Sequence, residues 1–214
     1  MFHRFGRFYI AMALGLGISA LSGTTGQART IIDEWASVQA PPPPELKPVG
    51  VDPKTTAFLV LDLVRQTCNA QRRPRCLSTI SPVHALLERT RKAGVPIVYS
   101  LVVGGGPGDI LADVAPAKSD PIVVSGADKF RDTKLADILR DKGIKTVITV
   151  GTAAQGAVLM TAAEAALQGL QVIVPVDGVS SESLYAEQYT AWHLLNAPGV
   201  GSHVTLSRTD MIRF

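Results

Sequence analysis

The chain has 214 residues, 46% of them hydrophobic, with 21 basic and 18 acidic side chains. That length accommodates one α/β domain with a substantial core. Arg4 and Arg7 are the only charged side chains in residues 1–28, so without that leader the formal charge of +3 falls by two to +1, and the basic balance gives no ground for a nucleic-acid surface.

The leader has its own pattern. Two arginines precede an apolar run over residues 8–21, and small residues lead to Gly26, Gln27 and Ala28. This predicts a secretory signal peptide cleaved after Ala28. A membrane anchor is the rival reading, but the run is shorter than the roughly 20 residues that span a bilayer. Export predicts a periplasmic or secreted protein with no membrane anchor after cleavage.

Residues 29–54 hold Pro41, Pro42, Pro43, Pro44, Pro48 and Pro53. Such a run predicts a stiff extended arm, packed on its own domain, on a neighbouring subunit, or serving as a tether. The domain itself is expected over residues 55–214. Residues 56–61 (TAFLVL) read as a buried strand ended by Asp62. Ser81 and Pro82 predict a helix start, with Val83, Leu86 and Leu87 inward and Gly94 as the stop. Residues 95–102 read as a second strand. The glycine-rich stretch 104–108 lacks the spacing and trailing Lys-Ser/Thr of a phosphate loop and reads as a lid or connector.

Residues 121–124 predict a short strand. Thr133 caps a helix with Leu135, Ile138 and Leu139 inward, closed by Gly143. Residues 145–166 organise the chain: KTVITV is a strand buried on both faces, GTAAQGA a tight turn of small residues, and VLMTAAEAA a helix. Backbone N–H groups gather where such a turn enters a helix, and small side chains let a substrate approach them. Residues 170–176 read as the next strand, residues 182–195 as a helix broken by Pro198 and Gly199, and residues 203–206 as a last strand. The alternation predicts a mainly parallel, Rossmann-like sheet in a three-layer α/β/α sandwich, with ligands beyond the strands' carboxyl ends.

Asp62 lies at such an end, beside Leu61 and Leu63. Desolvation there favours a raised carboxyl pKa unless a cation sits close, which suits a general acid or base. A carboxylate that caps neighbouring backbone N–H groups is the alternative. Cys68 and Cys76, the only cysteines, predict a disulfide rather than a thiol nucleophile in an exported chain. Arg72, Arg73 and Arg75 on that loop would grip a carboxylate or phosphate, hold Asp62 ionised, or form an exposed basic loop or subunit salt bridges. Tyr185, Tyr189, Trp192 and His193 share one helical face, the pattern of core or subunit contact more than of catalysis. His84 and His203 have no ligand partner at metal spacing.

The strand-ending Asp62, the Thr133-Lys-Leu-x-x-Ile-Leu-x-x-x-Gly stretch, and TVITVGTAAQGAVLMTAAEAALQGLQVIVPVDG together resemble the isochorismatase-like (cysteine hydrolase) superfamily, over about residues 55–210. The resemblance implies a hydrolase of small organic molecules, of the vinyl ether or amide class, with a triad of Asp, Lys and Cys and a dimer or tetramer. Asp62 matches the Asp. Aligning Gly151 and Thr161-Ala162 places Ala157 at the cysteine, so the nucleophile is missing. Phe130 matches a family Phe. The family lysine falls near Val124 or Ser125, which leaves Lys129 as the closest basic residue, reaching inward or solvated. Residues 104–110 lack the His of the nicotinamidase metal cluster, so neither metal nor cofactor is expected. The site so implied comprises Asp62, Lys129 and Ala157, with Phe130, Gly151, Thr152, Ala153, Ala154, Gly156, Arg72 and Arg73 around a small-molecule substrate. Cysteine-less isochorismatases in this superfamily protonate an enol ether with the carboxylic acid. The alternative is a pseudoenzyme that binds without turnover.

Overall fold

The computed structural model describes Met1 and residues 28–214. The predicted leader lies outside the described residues except for its ends, Met1 and Ala28. Two compact units are present, Met1–Pro42 and Pro43–Phe214.

In the first unit the arm is not wholly extended. A short helix, α1 (Ile31–Glu34), leads into a 3-10 turn, Trp35–Ser37. The Asp33 carboxylate accepts from the Thr30 N–H at 2.8 Å and from its hydroxyl at 2.9 Å, which closes the first turn locally.

The second unit begins at Pro43, ahead of the Thr55 expected from sequence. The reason is pairing: β1 (Val49–Gly50) runs parallel to the C-terminal β9 (Ile212–Arg213), and the Lys47 N–H donates to the Leu206 carbonyl. The main sheet comprises β2 (Thr56–Leu61), β3 (Ile97–Leu101), β4 (Ile122–Val124), β5 (Thr146–Thr152), β6 (Gln171–Pro175), β7 (Val179–Ser180) and β8 (Val204–Ser207). Its order is β4-β3-β2-β5-β6-β8, all parallel, with β7 paired to the end of β5.

Alternation of side chains divides the core into two faces. Ala57, Leu59, Leu61 and Val147 pack with Leu135 and Leu139 of α3 (Leu135–Asp141), Ala162 and Ala165 of α4 (Leu159–Leu167), and Leu194 of α5 (Leu184–Asn196). Phe58, Val60, Ile148 and Val150 pack with Ile80, Val83 and Leu86 of α2 (Pro74–Lys92) on the other side. Each buried Val, Leu, Ile or Phe among them stabilises the fold by about 1.5–3 kcal/mol. The three-layer α/β/α sandwich read from the sequence is the architecture found.

Helix α2 starts two turns before Ser81, with Pro74 at its first position and Pro82 inside it. Pro82 leaves the Ser78 carbonyl without its usual donor. Burial of Cys76, Thr79 and Ile80, and the bond from Cys76 to Cys68, hold the extra turns in place.

Chain order and sheet order diverge between β2 and β5: from β2 the chain moves outward through β3 and β4, then returns to lay β5 on the other side of β2. Such a switch point opens a crevice at the carboxyl ends of the two strands. Asp62 follows one of them, and the 153–157 turn follows the other.

Candidate active site

Asp62 has left-handed backbone, φ +53°, which turns the chain sharply off β2. Its own carbonyl accepts from the Val64 N–H at 2.8 Å and from the Thr67 hydroxyl at 2.6 Å, fixing that turn. The side chain is 7% exposed. One carboxylate oxygen, Oδ1, accepts from the Ser100 hydroxyl at 2.7 Å. The Ser100 oxygen in turn accepts from the Asp62 N–H at 3.2 Å. The other oxygen, Oδ2, lies 2.8 Å from Lys129 Nζ.

Lys129 is fully buried. Its ammonium also donates to the Ser125 carbonyl at 3.2 Å and to the Leu101 carbonyl at 3.5 Å, so its three protons are all directed at oxygens. The loop between β4 and α3 wraps around it. Ser125 Oγ donates to the Asp128 carbonyl at 2.6 Å, Thr133 Oγ1 donates to the Lys129 carbonyl at 2.6 Å, and Phe130 is buried beside it. A buried charge of either sign is tolerated only when paired and hydrogen-bonded, and here both are.

Gly151 is the register partner of Leu61, the residue before Asp62. At φ +135° its α-carbon lies so close that an added Cβ would sit 2.0 Å from the Leu61 carbonyl oxygen. The glycine therefore lets β5 close onto β2 at the switch point. The Thr152–Ala153 peptide is cis, and Thr152 Oγ1 donates to the Ser180 carbonyl of β7.

The turn that follows is a π turn, Ala154–Val158, ahead of α4. The Ala153 carbonyl accepts from the Gly156 and Val158 N–H groups, skipping that of Ala157. Ala153, Ala154 and Ala157 are buried, and Gly156 is half-buried. Thr161 lies one turn beyond Ala157 on the same helical face, and its hydroxyl oxygen accepts from the Lys129 N–H at 3.2 Å. The Ala157 face of the helix is thereby turned towards the Lys129 loop. The chain has no free thiol, because its only two cysteines, Cys68 and Cys76, are bonded to each other.

A family model for the isochorismatase domain matches residues 56–208. The chain belongs to the isochorismatase family. Its members are hydrolases, and this one is an isochorismatase-like hydrolase by domain and fold. It is similar to the secreted isochorismatase effector of Verticillium dahliae, with 26% identity over 153 residues, 64% of this chain and 80% of that protein. Among solved structures it resembles the N-carbamoylsarcosine amidase of Thermoplasma acidophilum (TM-score 0.63, 24% identity, 73% of this chain and 97% of that one). It likewise resembles an isochorismatase of Pseudomonas putida (TM-score 0.65, 15% identity, 87% and 100%). The nicotinamidase of Staphylococcus aureus shares the fold too (TM-score 0.63, 19% identity, 71% and 96%).

On this isochorismatase scaffold the three loop arginines separate. Arg72 is exposed, with Nη1 directed at the Gln66 carbonyl at 3.4 Å. Arg75 gives Nε and Nη2 to the Glu187 carboxylate, at 2.8 and 2.5 Å. Arg73 is buried and gives Nε to Glu182. The 104–110 stretch is tied down: Arg65 donates to the Gly108 carbonyl at 2.6 Å and pairs with Asp109 at 3.0 Å, and Val64 bridges Ile110. Among the described residues no group of three or more His, Cys, Asp or Glu is placed to hold a metal. The face of α5 bearing Tyr185, Tyr189 and Trp192 is open to solvent rather than core, and His193 there contacts Tyr189 at 3.3 Å.

Ser100, Gln155, Ser181 and Glu182 are functional candidates that the sequence reading does not single out. Ser100 carries a signal: it is the one serine or threonine in the strand IVYSL, placed next to the strand's carboxyl end.

Proposed function

We propose that this hydrolase is exported and cleaves a vinyl ether of the isochorismate type by acid/base chemistry, with no covalent intermediate. The observation that carries this is the buried Asp62–Lys129 pair, intact beside a turn whose nucleophile position holds Ala157. Thiolate attack needs a sulfur that is absent there.

In this reading the reactive form is the one in which the Asp62–Lys129 pair has taken up one proton at Asp62, and that carboxylic acid gives it to the terminal carbon of the enol ether. The carbon bearing the ether oxygen becomes an oxocarbenium ion, and Asp62 becomes a carboxylate beside the Lys129 ammonium. Water adds to the cation and returns a proton to Asp62. The hemiketal then collapses to an alcohol and a keto acid. Ser100 and Lys129 orient the two carboxyl oxygens, and the small Ala157 side chain leaves room for water or the substrate. Export is supported by the disulfide and by the likeness to a secreted effector.

The test is turnover of isochorismate by the purified chain and by Asp62→Asn. Release of the keto acid by the wild type and its loss in the variant, with unchanged folding by circular dichroism, is the expected result. An Asp62→Asn variant at full rate overturns the assignment. A binding protein without turnover is the second reading, favoured by the engagement of both Asp62 oxygens; binding of isochorismate with no product would select it.

A further inference from the structure

Arg73 stands apart from its neighbours in what it leaves unused. Its side chain is only 9% exposed, and Nε donates to Glu182 Oε1 at 2.8 Å. A guanidinium carries five N–H donors in a rigid fork. Among the described residues the Nη groups of Arg73 meet no hydrogen-bond acceptor, whereas Arg75 spends its fork on Glu187. Among these residues the partnerless side-chain N and O atoms sealed from solvent are Thr56 Oγ1, Thr149 Oγ1 and Ser180 Oγ, so the Arg73 Nη groups remain open to solvent and to a ligand.

The guanidinium is held in one orientation. Glu182 Oε2 accepts from Gln155 Nε2 at 3.3 Å and lies 2.8 Å from the buried Ser181 hydroxyl, which also lies 2.6 Å from Gln155 Oε1 and shares its one proton between them. Burial raises the Glu182 carboxyl, but the Ser181 hydroxyl, the backbone N–H of Glu182, Arg73 and Gln155 together outweigh it and bring it down to about 2. Glu182 is thus ionised throughout the neutral range and keeps its hold on Nε.

The position is also specific. Gln155 belongs to the π turn, two residues before Ala157, and Arg73 closes the loop that starts at Asp62. The network therefore joins the two segments that emerge from the switch point.

We propose that Arg73 is the anion anchor of this site. Its Nη edge takes a carboxylate of the substrate in a bidentate pair, and Glu182 is the positioning residue that aims it. This rests on the crevice at the switch point being the substrate site, and not on Asp62 performing the chemistry.

The test is binding of benzoate and of its neutral isostere benzamide, by titration calorimetry, to the full chain and to its Asp62→Asn form. Benzoate is expected to bind both proteins, and benzamide about tenfold or more weaker, as suits a charge-assisted pair. Arg73→Gln lowers benzoate affinity by about tenfold or more and leaves benzamide unchanged. Arg73→Lys, which keeps the charge but not the fork, loses most of the same affinity and decides the matter if Arg73→Gln does not fold. Equal binding of the two probes to the wild type, no benzoate binding at millimolar concentration, or full benzoate affinity in Arg73→Lys overturns the proposal. Benzoate binding lost with Arg73 while Asp62→Asn still turns over isochorismate would uphold the anchor and reject the acid/base reading.

Discussion

Lys129 Nζ and Asp62 Oδ2 lie 2.8 Å apart, with the two side chains 0% and 7% exposed. They come from opposite ends of a long sequence interval, one closing β2 and the other buried in the loop after β4. Removing a single partner strands a buried charge, which typically costs about 3–5 kcal/mol, whereas removing both does not. Asp62→Asn paired with Lys129→Met is therefore expected to be more stable than the sum of the two single variants. Urea unfolding of the four proteins measures this, and strict additivity would show that the pair is not coupled.

Ser100 holds the carboxylate from the other side. Ser100→Ala removes the donor to Asp62 Oδ1 and the acceptor of the Asp62 N–H. Hydrogen bonds to charged groups are worth about 1.5–3 kcal/mol, and the variant should lose that much stability. If Asp62 is the proton donor, kcat falls with KM little changed, and Ser100→Thr restores the rate. A variant with the same kcat as wild type would place Ser100 outside the catalytic apparatus.

Gly151→Ala tests the join between β2 and β5. The new Cβ would fall 2.0 Å from the Leu61 oxygen, at a backbone φ of +135° that side chains avoid. We expect a loss of about 3 kcal/mol or more, read as a lowered denaturation midpoint. Wild-type stability would mean that the strands separate freely at this point.

Glu182 sets a pH window. Its carboxyl ordinarily titrates near 4.5 and is brought down to about 2 in the folded chain. A depressed folded value means that the unfolded chain binds more protons between these limits, so stability rises with pH there. The contribution is complete above about pH 4.5 and disappears as pH falls through about 2. Glu182→Gln should show a shallower loss of stability than wild type over that range and a constant offset above it. Denaturation curves that stay parallel down to pH 2 would contradict the assignment.

Much of the frame was legible because buried parallel strands and an alanine-rich helix leave strong patterns. The apolar run 56–61 has the bounds of β2, and the 151–157 turn falls where small residues follow β5. The misses have physical causes. Pro82 reads as a helix start, yet α2 passes through it, because tertiary burial of Cys76 and Ile80 outweighs one lost hydrogen bond. Strands β1, β7 and β9 have two residues each, too few for any alternation to register. The arginines of the 72–75 run look alike in sequence. Their acceptors, Glu182 and Glu187, lie 109 and 112 residues away, a distance that no local pattern spans. Lys129 was nearest to the expected lysine, but only the wrapping of its loop directs the ammonium inward.

The bond between Cys68 and Cys76 has an outcome beyond anchoring α2. It consumes every sulfhydryl in the chain, so peroxide, disulfide reagents and alkylators find no thiol to modify. An enzyme that relies on a thiolate is vulnerable to each of these, while the reaction proposed beside Asp62 would be immune to poisoning by that route.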